Sequence, residues 1–119
     1  MKKTISIDGK EYFLQSSAYT QFAYKNHTGR SFLGDIKTLI KKAPKNKKNN
    51  NFELTELDEI TTLILDLSYI MIVEADSSQV KSYEDYVKGI GNLYDDIKWI
   101  EQVIELGISP ISRQLSSNK

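Results

Sequence analysis

Residues 54–73, LTELDEITTLILDLSYIMIV, contain the longest apolar stretch of the chain, Ile60 to Val73, and any fold must find cover for it. At helical period, Ile60, Leu63, Ile64, Leu67, Ile70 and Met71 make one core-facing stripe about 120° wide, with Leu57 at its edge. Leu65, Tyr69, Ile72 and Val73 make a second group on the opposite side. Large contiguous apolar patches are either covered or used as contacts. Two covers are open: flanking helices of the same chain, which would make this the central helix of a bundle, or another polypeptide. Asp66 inside the run, with Glu56, Asp58 and Glu59 ahead of it, excludes a membrane span, which takes about 20 predominantly apolar residues.

With 119 residues and 39% apolar content, the chain can build one modest core, so a single domain over 1–119 is expected. There is no cysteine, hence no disulfide framework and no thiolate metal site. The start, MKKTISIDGKEYF, lacks the apolar segment of a signal peptide, and the cytoplasm is the expected compartment. The zero net charge conceals a split. Residues 1–51 carry 11 Lys or Arg against 3 Asp or Glu, net +8, and residues 52–119 carry 5 against 13, net −8. Such halves attract one another, within the monomer or head to tail in a homo-oligomer.

A mainly α fold is expected, a small bundle of about five helices behind an N-terminal β-hairpin. The hairpin spans 4–14: TISI, the turn pair Asp8-Gly9, then KEYFL, with Ile5, Ile7, Tyr12 and Leu14 on one face. A helical hairpin follows over 16–43. Its first helix is capped by Ser16 or Ser17 and ended by Gly29; its apolar face is Ala18, Tyr19, Phe22 and Ala23, and Tyr24 points away from it. Its second runs from Ser31 to the stop at Pro44, with Phe32, Leu33, Ile36, Leu39 and Ile40 at helical spacing. PKNKKNNN is a linker over 44–51. The helical part, 52–107, opens at Thr55 with Asp58 as a loose capping box. It continues after the loop DSSQVKS with a short helix capped by Ser82 and ended by Gly91, then a last helix from about Asn92 to Leu106, closed by Gly107 and Pro110. A frayed tail is expected over 108–119.

Signals of chemistry are weak. His27, the sole histidine, falls in the last turn of a helix, a common structural position. The pairs Asp58-Glu59, Glu84-Asp85 and Asp95-Asp96 are sequence neighbours, so on a helix their side chains diverge by about 100° and do not converge on one ion. No phosphate loop and no nucleophile motif is present. The expectation is a non-enzyme without catalytic residues, metal or cofactor. A small nucleic-acid-binding regulator would use Lys41, Lys42, Lys45, Lys47 and Lys48, but no aromatic lies among them and the second half is acidic. Tyr24, Tyr83, Tyr86 and Trp99 add aromatic surface of the kind interfaces favour.

The order of elements carries a resemblance. A short β segment leads to SSAYTQFAYKNHTGRSFLGDI, with an aromatic-Lys pair before Gly-Arg and an apolar pair followed by Asp; LDLSYIMIVEAD, SYEDYV and DDIKWIEQVIEL come later. This resembles the tail assembly chaperones of siphophages and prophages of Gram-positive bacteria over nearly the whole chain, through diffuse apolar and aromatic patterns. The resemblance implies a viral protein of the bacterial host cytoplasm that binds the tape-measure protein and recruits tail-tube subunits. The partner-binding residues expected from helical geometry are Tyr24, Leu65, Tyr69, Ile72 and Val73. On that geometry Tyr69→Asp leaves the fold intact and weakens partner binding.

Overall fold

The hairpin forms where the Asp-Gly pair directs it. β1 (Lys2–Ile7) and β2 (Lys10–Gln15) pair antiparallel, with Ile5 opposite Tyr12 and Ile7 opposite Lys10. Asp8 and Gly9 take φ of 52° and 81°, the two left-handed positions of a type I′ turn. Ile5, Ile7, Tyr12 and Leu14 are all buried, as the alternation requires. The computed structural model describes residues 1–43 and 54–111, the side chains of 54–56 excepted. The linker expected over 44–51, the capping role of Thr55 and the tail beyond Ile111 lie outside the described residues.

Among the described residues five helices follow: α1 (Ala18–Thr28), α2 (Phe32–Lys42), α3 (Leu54–Ala75), α4 (Tyr83–Lys88) and α5 (Lys98–Ile108), with one 3-10 turn at Ser77–Gln79. The molecule is mainly α, with an N-terminal two-stranded hairpin. Ser17 caps α1 in a reciprocal box with Thr20, and Gly29 ends it at φ 76°. Ser31 and Ser82 cap α2 and α4 through their hydroxyls. Ala43 ends α2 in extended backbone, the conformation that a following proline imposes.

Three boundaries differ from expectation. α4 ends at Lys88 with Gly89 as its cap, two residues before Gly91. Residues 92–97 are not helical: Asn92 Oδ1 accepts from the amides of Tyr94 and Asp95, and Asp96 Oδ1 accepts from Lys98. Short polar side chains here satisfy backbone donors that a helix would otherwise use, so α5 begins six residues later than Asn92. Nor does Gly107 end α5. It is buried within the helix where α5 meets α3, and a Cβ there would lie 3.3 Å from Leu67 Cδ2.

α3 is the central element, packed by β2, α1, α2, α4 and α5. The first stripe, Ile60 to Met71, is buried. On the opposite side Leu65 and Ile72 are also buried, at 6% and 0% exposure, while Tyr69 and Val73 are half-buried. Of the two covers open to the sequence, the chain itself supplies the one these residues use. All the buried apolar side chains belong to one contiguous core, drawn from the hairpin and from every helix.

Candidate functional site

α1 is rotated relative to the sequence expectation. Tyr19 and Phe22, assigned to the core face, are 57% and 60% exposed, whereas Thr20 and Tyr24 are 1% exposed. Polar partners supplied by distant elements explain the rotation. The Glu74 carboxylate of α3 accepts from Ser17 Oγ at 2.5 Å and from Thr20 Oγ1 at 2.6 Å, and Tyr24 donates to Asp35 Oδ2 at 2.5 Å. Hydrogen bonds to a charged acceptor contribute more than neutral ones, about 1.5–3 kcal/mol each. They therefore outweigh leaving two aromatic rings in water.

Tyr24 leads into a polar cluster around Asp66, the residue that interrupts the apolar run of α3. Arg30, just past α1, donates through Nη2 to Asp66 Oδ2 at 2.6 Å and through Nε to Asp35 Oδ2 at 2.8 Å. Its Nη2 also lies 3.2 Å from the Tyr24 hydroxyl, and the guanidinium sits over the Tyr24 ring. Burial pulls the guanidinium pKa down, but the bonds to Asp66, Asp35 and Tyr24 outweigh it and leave it raised. His27 Nε2 stands 3.8 Å from Asp66 Oδ1, and the imidazole packs against the rings of Tyr69 and Tyr83 at 5.4 and 5.2 Å. Tyr69 continues the ring contacts to Tyr86, which meets Tyr12 of β2 edge-on.

This cluster is a clamp. No fully buried side-chain polar atom among the described residues lacks a partner. No group of His, Asp and Glu among the described residues has the geometry of a metal site. The clamp fixes the α1–α2 turn onto α3. Sequence reading missed Arg30, Asp35 and Asp66, although an isolated carboxylate in an apolar run is itself a signal that a cation must reach it.

The five residues expected to bind a partner therefore separate. Tyr24, Leu65 and Ile72 are core residues, and the expectation that Tyr24 points outward is wrong because Asp35 and Phe32 hold its ring inside. Tyr69 and Val73 keep partial exposure. Tyr69 packs against the rings of His27 and Tyr83, so Tyr69→Asp would remove those contacts and bring a second carboxylate within one helical turn of Asp66. Of the lysine cluster, Lys42 pairs with Glu59 at 3.1 Å, and Lys45, Lys47 and Lys48 lie outside the described residues.

Among the described residues, the large apolar side chains that do face solvent are Met1, Phe13, Tyr19, Phe22, Leu33 and Ile40. All fall in the basic, N-terminal part, and none of the described residues of 54–111 joins them. Tyr19 and Phe22 make the one contiguous aromatic pair among them, with ring centroids 5.8 Å apart on the outer face of α1. The spare surface lies there, one helix away from the stripe that the sequence singled out.

Burial of the tyrosines has a measurable consequence. Burial pushes the hydroxyls of Tyr24, Tyr83, Tyr86 and Tyr94 above their ordinary value of 10.0, and hydrogen bonds to Asp35 and Asp66 push Tyr24 and Tyr83 further. A raised folded-state pKa adds stability that is present below the unfolded value and lost as pH rises past it. Stability should accordingly fall as pH climbs above about 10, where the unfolded chain releases those protons. Phenolate absorbance should show these four ionising together with unfolding; titration of all seven tyrosines near 10 in a folded chain would contradict the burial.

Compared with models of protein families, with curated proteins and with solved structures, the chain matches none.

Proposed function

We propose that this protein is a siphophage tail assembly chaperone, a non-catalytic binding protein of the bacterial host cytoplasm that holds the tape-measure protein and recruits tail-tube subunits to it. The pattern in residues 16–36 and 65–106 supports this reading. So does the placement of every exposed large apolar side chain of the described residues in the basic N-terminal part, which is the observation that carries it. An unassembled tape measure is a long helical polypeptide with apolar seams, and an aromatic pair on an exposed helix can cover such a seam reversibly. None of the described helices is long and apolar enough to cross a membrane.

Co-expression with the tape-measure protein of the same phage tests the proposal. The tagged chain should capture it. The double variant Tyr19→Asp/Phe22→Asp should keep its stability within about 0.5 kcal/mol, as surface changes do, and should lose the capture. Undiminished capture by that folded variant would contradict the role given to α1.

A further inference from the structure

A two-stranded sheet has two edges, and this one treats them differently. The terminal pair, in which Ser16 N donates to Met1 O and Met1 N to Ser16 O, sets the alternation of the ladder. Met1, Lys3, Ile5 and Ile7 bond inward to β2, so the backbone groups of Lys2, Thr4 and Ser6 point outward on one edge and those of Glu11, Phe13 and Gln15 on the other. On the β2 edge the Gln79 side-chain amide acts as a third strand would. Its Oε1 accepts from Phe13 N at 2.8 Å and its Nε2 donates to Phe13 O at 2.9 Å. On the β1 edge no described residue makes such a bond, and Lys2, Thr4 and Ser6 are all exposed.

We propose that the outer edge of β1 is a strand-addition site for an extended, acidic segment of another polypeptide. Unpaired backbone groups on an exposed edge are a template for main-chain pairing. The charge on β1 selects what can use it. Its only charged side chains are Lys2 and Lys3, both exposed, and neither forms an ion pair with a described residue. A second copy of β1 laid alongside would bring two more lysines and no carboxylate of its own strand, leaving the charge on Lys2 and Lys3 uncompensated. A foreign strand carrying Glu or Asp neutralises them. A cleft of about 220 Å³ beside Lys2 and Lys3, walled by Leu106 and Glu105 of α5, offers room for one of its side chains. This surface is independent of the aromatic pair on α1 and of what that pair binds.

The test uses the full chain and a labelled synthetic peptide alternating Glu with Val and Thr, alongside the same peptide with Lys in place of Glu. The acidic peptide should bind, and hydrogen exchange should show Thr4 and Ser6 amides newly protected while those of Ile5 and Ile7, already bonded to β2, are unchanged. Thr4→Pro removes an outward-pointing amide that the hairpin does not use, so the fold should survive. Binding should weaken by about tenfold or more, whereas Thr4→Val should bind like the parent. If Thr4→Pro does not fold, the exchange pattern of the parent chain decides alone. Absence of binding, binding without protection at Thr4 and Ser6, or unchanged binding to folded Thr4→Pro would overturn the site. Equal binding of the Lys peptide would overturn the acidic partner. Self-association of the parent that Thr4→Pro abolishes would assign the edge to a second copy and overturn the proposal.

Discussion

Ile72→Asp is expected to unfold the chain. Ile72 is fully buried on the side of α3 that sequence periodicity leaves without an assigned cover, at 0% exposure. A carboxylate there has no partner, and an unpaired buried charge costs about 4 kcal/mol or more, a large share of the total stability of a domain this size. Ile72→Ala, which only empties volume, should cost about 2–5 kcal/mol. Urea unfolding of both variants checks this. A folded Ile72→Asp with near-parental stability would return that face of α3 to the surface.

Arg30→Ala should be the next most damaging change. It takes the guanidinium away from the buried Asp66 carboxylate, whose side chain is 8% exposed and which keeps the Tyr83 hydroxyl and the His27 ring nearby, and it removes the second bond to Asp35. Breaking one partner out of a buried pair costs about 3–5 kcal/mol. The guanidinium is itself 38% exposed, so water can follow into the vacancy, and about 2–4 kcal/mol is the expected loss. Arg30→Met combined with Asp66→Leu removes both charges and should recover much of it, because burying an ion pair costs desolvation that an apolar pair does not. Denaturation midpoints of the single and double variants measure the coupling. A double variant as unstable as Arg30→Ala alone would show that packing, not charge, is what Arg30 supplies.

The hairpin, the caps and the first stripe of α3 were legible because local chemistry decides them. Asp8-Gly9 admits one turn type, Ser17 and Ser31 bond amides two or three residues on, and Ile60 to Met71 repeat at one helical period. The face of α1 was not legible. Its orientation depends on Glu74, 54 residues beyond Thr20, and on Asp35, which takes the Tyr24 hydroxyl. Apolar counting assigns Tyr19 and Phe22 inward because it cannot see acceptors brought from another helix. The same blindness placed the spare surface on Leu65 and Ile72, since the cover they receive is tertiary. The edge of β1 was latent in the alternation, but only the Gln79 plug on its neighbour shows which edge remains open.

Under the proposed function, the apolar surface that meets a partner lies on the outer face of α1, where Tyr19 and Phe22 are exposed, and not on α3, where Leu65 and Ile72 are buried. Hydroxyl-radical footprinting of the chain, alone and bound to the tape-measure protein, tests it most directly. Tyr19 and Phe22 should label strongly in the free chain and fall silent in the complex, with Leu65 and Ile72 unlabelled in both. Leu65 and Ile72 labelling in the free chain and becoming protected on binding, while Tyr19 and Phe22 stay reactive, would contradict it.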